Sequence, residues 1–562
     1  MVQANTRTGG QVLVDALRIH GVDTAFCVAG ESYLAVLDAL YDHQKEIKLI
    51  TCRHEAGAAN MAEAYGKLTG KPGVVMVTRG PGACHASIGA HTAFQDSTPM
   101  VMLVGQVARD QMDREAFQEI DYRRMYGQMA KWVAQIESAD RIPEYMARAF
   151  HTATSGRPGP VVLALPEDML RDRVAVPDTR PYQVVRAHPG AADLRRLRGM
   201  LAEAERPVML VGGGGWTEQA SADIVAFAEA NEIPTCCSFR RLDIFDNSSR
   251  CYIGDLSTNP GPELLRTVRE ADLLLVVGAR LGEITTQGYT LLDVPQPRRT
   301  LIHVHASAEE LGRVFQPTLS IQSGMPQFAA AVRELEPLDS SSRMDWTRTA
   351  RDGYLEWNSF REYGGPLDLG VCMEELKDRL SDDSIITLDA GNFSGWAMRF
   401  LPFTQPRTFL GPTSGAMGYG VPAAVSAAIT YPDRLVVCFA GDGGFMMSSQ
   451  EIATARHYGA KPVFLVFNNG MYGTIRAHQE RHHSGRYIAV DLTNPDFAAL
   501  AVSYGAYGET VSRTEEFGPA LDRAIRSGRP AVLDLRMDPD VISTTTTLTR
   551  MREAAQARGQ GG

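Results

Sequence analysis

Residues 435–470 constrain the fold of this chain most, because two short apolar segments there are separated by one helical stretch. The first apolar segment (435–440) ends at a Gly-Asp-Gly turn, and the second (462–467) ends at Asn468 and Asn469. Two strands joined through a helix lie parallel, so both turns are expected at carboxyl ends of strands. Open α/β sheets bind their ligands at that edge.

The side chains at these two turns suit a divalent cation. Asp442 and Asn469 offer a carboxylate and a carboxamide oxygen, and such hard ligands favour Mg²⁺ or Ca²⁺. Mg²⁺ usually completes its coordination with phosphate and water oxygens. Glycine at 441, 443 and 444 would let the backbone approach a phosphate. Taken alone, the segment also fits a tight strand-to-helix turn with an asparagine that caps a helix.

Two further segments have an ordinary interpretation when each is considered alone. Glu55 precedes a predicted helix (56–68) whose alanines and Gly57 permit close packing. A carboxylate is favourable at a helix N-terminus. Met417, in the small-residue segment 414–428, is by itself a methionine that fills a gap in the core.

Together, these segments resemble the thiamine-diphosphate (ThDP) enzymes. That family has a Gly-Asp-Gly motif followed, after a spacer of this length, by Asn-Asn, and a glutamate in a pattern like RHEAGAANMAEAY, which here contains Glu55. Met417 lies upstream of Asp442 by the offset at which acetohydroxyacid synthases, also called acetolactate synthases, carry a large apolar residue. Segments such as KPGVVMVTRGPG and STPMVMLVGQV extend the resemblance to that branch over nearly the whole chain.

The resemblance implies roles for particular residues. Glu55 would hydrogen-bond the aminopyrimidine ring of ThDP and activate the cofactor, and Met417 would hold the cofactor bent. The implied ligands of Mg²⁺ are Asp442, Asn469 and the backbone carbonyl of Met471. The implied cofactor-binding residues are Glu55, Gly391, Asn392, Phe393, Gly415, Met417, Gly441, Asp442, Gly443, Gly444, Asn469 and Met471.

The resemblance also implies a substrate funnel. Phe117, Gln118 and Lys131 match positions that line this funnel in the family, and with Glu55 they form the implied catalytic set. Each of the three also has a plain interpretation, namely a core aromatic residue, a surface amide and a solvated lysine.

Apolar segments alternate with helical patterns along the whole chain, which predicts parallel sheets covered on both faces. A chain of 562 residues also exceeds the size of a single core. We therefore expect an α/β fold with three doubly wound parallel-sheet domains of the ThDP-enzyme type. These are a pyrimidine-binding domain (1–180), a central domain (191–338) and a diphosphate-binding domain (355–540), followed by a polar tail (541–562) with a disordered end.

Composition argues against several classes of partner. A net charge of −10 disfavours binding to nucleic acid or to an anionic membrane. The first ten residues lack the apolar core of a signal peptide, and no apolar run approaches the roughly 20 residues of a membrane span. We expect a cytoplasmic protein whose eight cysteines are reduced and lie in the core.

Some segments depart from the biosynthetic acetohydroxyacid synthases. Those enzymes hold a non-redox FAD beside a GARFDDR motif, whereas this chain has GARLGEITT at 278–286, so FAD stays open. The glycine cluster at 211–216 lacks a complete GxGxxG and is a weak nucleotide signal. Four residues also depart from the family pattern. Glu31 lies where the family has a glycine-rich turn, and His85 and His91 replace smaller polar residues. His478 stands at the position of a tryptophan.

The leading function is ThDP- and Mg²⁺-dependent decarboxylation of a 2-keto acid, with pyruvate favoured, followed by carboligation to a second keto compound. By the same resemblance the active site lies between subunits, which implies a homodimer or homotetramer. The alternatives are a 2-keto acid decarboxylase, an acyloin or 2-hydroxyacyl-CoA lyase, a nicotinamide oxidoreductase that uses the glycine cluster, and a catalytically silent homologue. Intact Glu55, Asp442 and Asn469 argue against a silent homologue.

Overall fold

The computed structural model describes residues 6–559. Within them, three six-stranded sheets follow one another along the chain, and every strand pair in these sheets is parallel. Helices connect and flank the strands. This confirms the predicted α/β fold class. The predicted disordered end of the tail lies partly outside the described residues.

The strands, in chain order, are β1 Arg7–Thr8, β2 Thr24–Cys27, β3 Lys48–Thr51, β4 Gly73–Val77, β5 Met100–Gln106, β6 Trp132–Gln135, β7 Pro160–Pro166, β8 Arg173–Val174, β9 Pro207–Val211, β10 Thr235–Ser238, β11 Tyr252–Leu256, β12 Leu273–Val277, β13 Thr300–His305, β14 Leu319–Gln322, β15 Ile385–Leu388, β16 Phe409–Leu410, β17 Val436–Gly441, β18 Val463–Asn468, β19 Tyr507–Val511 and β20 Ala531–Arg536.

The α-helices are α1 Gly9–Ile19, α2 Leu34–Tyr41, α3 Glu55–Thr69, α4 Pro81–Asp96, α5 Tyr122–Tyr126, α6 Ile142–Thr154, α7 Ala191–Glu203, α8 Glu218–Ala230, α9 Pro262–Glu270, α10 Met325–Arg333, α11 Met344–Trp357, α12 Leu369–Lys377, α13 Ser394–Phe400, α14 Gly420–Thr430, α15 Asp442–Ser448, α16 Glu451–His457, α17 Gly473–His482, α18 Phe497–Ser503, α19 Thr514–Arg526 and α20 Leu548–Gly559. The last of these lies in the predicted tail.

The first and third sheets have the same topology. Their strand orders are β3-β2-β4-β5-β7-β6 and β16-β15-β17-β18-β20-β19, whereas the central sheet runs β11-β10-β9-β12-β13-β14. The order reverses between β2 and β4 in the first sheet and between β15 and β17 in the third. Crevices that bind ligands form at such reversals, outside the carboxyl ends of the strands. Candidate sites are therefore expected after β4 and after β17.

The chain forms two compact units. Unit 1 consists of Met1–Val185, Val425–Pro432 and Ser448–Ala460, and unit 2 consists of Arg186–Ala424, Asp433–Met447 and Lys461–Gly562. The central and third sheets therefore belong to one unit. The segment that joins β17 to β18 is divided, because α16 belongs to unit 1.

Most of the strand residues in the middle of each sheet are buried, as parallel sheets with both faces covered require. Every residue of β4, β5 and β7 is buried, and so is every residue of β17 and β18. Seven of the eight cysteines are buried as expected, but Cys84, in the first turn of α4, is exposed and is not a core residue. Within residues 6–559, the helices fall short of the length and apolar character that a membrane span needs.

Helices α3 and α4 pack closely because both have small residues at their contact. A Cβ atom added at Gly89 on α4 would overlap the backbone and side chain of Ala59 on α3. The imidazole of His54 caps the start of α3 by accepting the Ala56 N–H at 3.1 Å.

We expect Gly89→Ala to lower the melting temperature of the protein. The added methyl group would force α3 and α4 apart, and overpacking of this kind costs about 1–3 kcal/mol. Gly199 on α7 has open space around it, so Gly199→Ala serves as the matched control and is expected to stabilise the helix by up to about 1 kcal/mol. Calorimetric unfolding measures both, and an unchanged melting temperature for Gly89→Ala would contradict the close packing.

Candidate active site

Asp442 is a buried carboxylate at the carboxyl end of β17, where it begins α15. Its Oδ1 accepts the Gly443 N–H at 2.9 Å, and its Oδ2 accepts the Gly470 N–H and the Asn494 side-chain amide, both at 2.8 Å. These donors are neutral, and burial raises the pKa of Asp442. A buried charge normally needs an opposite charge, so a divalent cation fits this position.

The other two predicted metal ligands flank Gly470, whose N–H binds Asp442. Asn469 Oδ1 accepts the Met471 N–H at 3.2 Å, and Met471 pairs with Asp491 in an isolated β-bridge. The structure therefore brings the Asp442 carboxylate next to the turn that contains Asn469 and Met471. Carboxylate, amide and backbone carbonyl oxygens form a donor set that suits Mg²⁺. Asn494, which orients Asp442, was not identified from the sequence.

The three glycines around Asp442 are required by close packing within unit 2. A Cβ atom at Gly441 would lie 2.7 Å from the Phe393 ring, one at Gly443 would lie 2.6 Å from the Tyr472 ring, and one at Gly444 would lie 2.6 Å from Asp389. Phe393 itself stacks on Phe467 with ring centroids 5.6 Å apart. The Phe393 side chain is thus a core neighbour of the glycine turn.

Asp389 is a second buried carboxylate, at the carboxyl end of β15. It accepts the Ala390 N–H at 2.6 Å and the Gly418 N–H at 2.9 Å. The Gly418 bond fixes the loop that holds Gly415 and Met417, and Met417 remains partly exposed. Burial raises the pKa of Asp389 to about 6. A carboxylate at the end of the apolar segment 384–388 was the available sequence signal for this residue.

A cavity of about 650 Å³ lies in unit 2 and is lined by part of the predicted cofactor set. Gly391, Asn392 and Gly415 line it, together with Thr474 and His478. The Asn392 N–H donates to the Thr474 hydroxyl at 3.0 Å. This volume lies in the usual range for small-molecule and cofactor sites. His478, a departure from the family pattern, therefore faces a cavity, and burial is the main cause that lowers its pKa.

The central sheet contributes Asp255, in β11, to the wall of this cavity. Its Oδ2 has no hydrogen-bond partner within residues 6–559. Burial raises the pKa of Asp255 to about 7. This carboxyl group therefore changes charge close to neutral pH, which no sequence pattern indicated.

The glycine cluster at 211–216 is explained by packing in the central domain. A Cβ atom at Gly213 would overlap the carbonyl of Gly278, in the turn after the neighbouring strand β12. The Trp216 indole N–H donates to the Gly212 carbonyl at 2.8 Å. The helix that follows, α8, begins only at Glu218, so the cluster does not form the helix start that a dinucleotide-binding turn needs.

In unit 1, Glu55 is the first residue of α3. Its Oε2 lies 2.9 Å from Nδ1 of His85, which projects from the first turns of α4. The imidazole rings of His54 and His85 stack with centroids 4.6 Å apart. The predicted catalytic glutamate thus belongs to a cluster with two histidines.

Glu451 anchors the segment that precedes Glu55, and sequence reasoning missed it. Its buried carboxylate accepts the backbone N–H groups of Arg53 and His54 at 3.1 and 3.0 Å, and the Thr454 hydroxyl at 2.6 Å. Burial raises the pKa of Glu451 against the opposing effect of these bonds. Because Glu451 is about four hundred residues from Arg53, no local pattern could reveal this contact.

The turn after β4 binds the turn after β2 through an ion-pair network. Arg79 contacts Glu31 at 3.1 Å and Glu167 at 2.8 Å. Glu31 is 64% exposed but paired, so it differs from a free loop carboxylate. Gln118 lies against Gly80 of the same turn, since a Cβ atom at Gly80 would lie 2.7 Å from Gln118.

The other two predicted funnel residues lie elsewhere in unit 1. Phe117 is 74% exposed. Lys131 donates to the backbone carbonyls of Thr152 and Ser155 at the end of α6. These contacts give Lys131 a structural role at a helix C-terminus, and its predicted catalytic role stays a prediction.

Comparison with known proteins identifies the class. The chain matches the N-terminal TPP binding domain of thiamine pyrophosphate enzymes over residues 7–125, their central domain over 194–332 and their C-terminal TPP binding domain over 389–535. The chain therefore belongs to the thiamine pyrophosphate (ThDP) enzyme family, as the motifs predicted.

Within that family the chain is similar to acetolactate synthases over nearly its whole length. It is 33% identical to the acetolactate synthase isozyme 2 large subunit of Escherichia coli, over 94% of this chain and 95% of that protein. It is 31% identical to the probable acetolactate synthase large subunit of Methanocaldococcus jannaschii, over 94% and 92%. It is also 33% identical to the acetolactate synthase large subunit of Parasynechococcus marenigrum, over 95% and 88%. The protein is thus a ThDP-dependent enzyme of the acetolactate synthase-like kind.

We expect the free energy of unfolding of the wild type to fall as pH rises, and we expect Asp255→Asn to remove this fall. The pKa of Asp255 in the folded state, about 7, lies above its unfolded value of about 3.9. The stabilisation from the protonated form is therefore complete below pH ~4 and is lost as pH rises through about 7. Melting temperatures at pH 5 and pH 8 measure this.

The melting temperature of Asp255→Asn, relative to that of the wild type, should be higher at pH 8 than at pH 5. Asp345→Asn, on an exposed helix position, is the control for a general change in charge. A pH-independent difference for Asp255→Asn would contradict the assignment.

Proposed function

We propose that this protein catalyses the ThDP- and Mg²⁺-dependent decarboxylation of a 2-keto acid, with pyruvate as the donor, and joins the product to a second keto compound as in acetolactate synthesis. The observation that carries this proposal is the similarity to acetolactate synthase large subunits over 94–95% of the chain. The arrangement around Asp442 supports the metal requirement.

Different residues of this chain would bind the two ends of the cofactor. Asp442, Asn469 and the Met471 carbonyl would hold Mg²⁺ and with it the diphosphate. Gly391, Asn392 and Gly415 line the adjoining cavity. Met417 would support the cofactor from below, and Glu55 would hold the pyrimidine ring. When bound, ThDP supplies the electron sink for loss of CO₂.

The cavity walls would orient the substrates and limit access of water. Thr474 and His478 line the cavity beside Asn392, and the family's acceptor-recognising tryptophan is replaced by His478. This departure favours one alternative, another ThDP-dependent lyase with a different acceptor. The tight packing of the glycine cluster gives no support to a nicotinamide oxidoreductase.

Two further features of the proposal rest on the resemblance alone. A second copy of the chain would complete the active site, so we propose a homodimer or homotetramer. FAD would bind the central domain if this chain follows the biosynthetic enzymes, and the visible spectrum of the purified protein tests that directly.

The products formed from pyruvate test the proposed reaction. We expect purified protein with ThDP and Mg²⁺ to release CO₂ and form 2-acetolactate, because the relatives named above carry that activity in their names. Chromatography of the products separates acetolactate from acetaldehyde. Acetaldehyde as the main product would favour a decarboxylase, and a different acyloin formed only when another keto compound is added would define the acceptor.

Two substitutions should separate cofactor binding from turnover. Asp442→Ala should weaken ThDP binding more than about 100-fold, because an ion ligand is lost, whereas Glu55→Gln should retain ThDP and lose most turnover. Calorimetry with Mg²⁺ measures affinity, and the product assay measures turnover. Asp433→Ala, an exposed carboxylate before β17, is the matched control and should change neither. Normal ThDP affinity in Asp442→Ala would overturn the metal site.

A further inference from the structure

The environment of the Glu55 carboxylate is built largely by one helix, α4. Oε2 of Glu55 lies 2.9 Å from His85 Nδ1. Oε1 faces Gly82, because a Cβ atom at Gly82 would lie 3.4 Å from it. Gly82 and His85 are three residues apart, so they lie on the same face of α4. Oε2 therefore has a polar neighbour on this face of α4, whereas Oε1 faces a residue without a side chain.

The His85 ring is itself fixed in place. One face stacks on His54, with centroids 4.6 Å apart and planes inclined by 27°. His54 is held in turn, because its Nδ1 accepts the Ala56 N–H as the cap of α3. Although half of the His85 side chain is exposed, its ring has a defined partner on one face and another at its Nδ1 edge.

The direction of the hydrogen bond follows from the chemistry of the two groups. An ionised carboxylate only accepts hydrogen bonds. Nδ1 of His85 therefore carries the hydrogen atom, and this N–H donates a hydrogen bond to Oε2. Hydrogen bonds to charged groups are stronger than those between neutral groups. His85 can therefore restrict the carboxylate to one orientation, with Oε1 left without this donor.

We propose that His85 is a positioning residue for Glu55, which holds Oε2 so that Oε1 is presented to the pyrimidine ring of the cofactor. The inference rests on the proposed function for the identity of the ligand. It assigns a purpose to a residue that departs from the family's smaller polar side chain at this position. Donation from Nδ1 is the feature that matters, so an asparagine, whose side-chain N–H₂ lies at the place of Nδ1, should replace it.

The same three side chains also resemble a metal-binding group. Single ligand atoms of His54, Glu55 and His85 all lie within 4.8 Å of one another. The hydrogen-bond geometry favours positioning, because Nδ1 of His54 is already committed to the Ala56 N–H and Nδ1 of His85 to Glu55. Binding of a metal ion by these three side chains is the alternative that the experiments below distinguish.

The first experiment uses cofactor-free protein and does not depend on the proposed function. Melting temperatures are measured for Glu55→Gln, for His85→Leu and for the double variant. Residues that share a hydrogen bond show non-additive effects, so the double variant should lose less than the sum of the single losses. His91→Leu, on the same helix, is the matched control and should be additive with Glu55→Gln. Additive losses for His85→Leu would overturn the proposal.

The second experiment measures ThDP affinity by calorimetry with Mg²⁺, and kcat and KM with pyruvate at saturating ThDP. His85→Leu should keep ThDP affinity within about 3-fold of wild type, as Glu55→Gln does, and should lower kcat about 10- to 100-fold with little change in KM. His85→Asn should restore kcat to within about 3-fold, and His91→Leu should match wild type. A purely structural role would not show rescue by asparagine.

Three results would overturn the proposal. Wild-type kcat in His85→Leu would remove His85 from the site. Equal losses in His85→Asn and His85→Leu would show that the imidazole acts as an acid or base. Stoichiometric Zn²⁺ binding by cofactor-free protein, abolished in His85→Leu, would define a metal centre. If wild-type protein binds no ThDP, the proposed function fails, while the cofactor-free experiment still tests the Glu55–His85 bond.

Discussion

Buried carboxylates bound by backbone N–H groups hold the loops on which the candidate active site depends. Asp389 fixes the Gly418 loop, Asp442 fixes the turn at Gly470, and Glu451 fixes the residues before Glu55. Burial raises the pKa of all three, and such groups are tolerated only when their hydrogen bonds are satisfied. Each functional loop is thus fixed by a buried carboxylate, and Asp442 also lies beside Asn469 and Met471, whose oxygen atoms suit a cation.

The sequence was sufficient for the fold class and for the main motif residues. Continuous apolar segments ended by glycine turns predicted strands such as β17 and β18, because parallel strands buried on both faces leave a strong local signal. Asp442 and Glu55 were recognisable because their motifs are local. Asp389 was missed although it ends an apolar segment, whereas Asn494 and Glu451 were missed because their roles arise only from contacts between segments far apart in the chain. For the same reason no local pattern could show that α16 belongs to unit 1.

The structure shows what the residues that depart from the family pattern contact. Glu31 is paired with Arg79, which also binds Glu167, so this part of unit 1 has a fixed arrangement of charges. His478 lines the cavity in unit 2, and His85 binds Glu55. Exposure of Phe117 and the carbonyl contacts of Lys131 show why a family match at one position does not reveal what a side chain contacts in this chain. The cofactor is accordingly better defined than the second substrate.

The shared strand order of the first and third sheets makes the turns after β4 and β17 topologically equivalent. Both follow the third strand of the same scaffold, and both are rich in glycine. One carries Arg79, which binds two carboxylates, and the other carries Asp442, whose neutral partners leave its charge uncompensated. The chain thus contains an internal pseudo-repeat in which one copy of the turn holds an arginine neutralised by two carboxylates and the other holds a carboxylate with neutral partners. The same strand order therefore supports two turns whose buried charges are balanced in different ways.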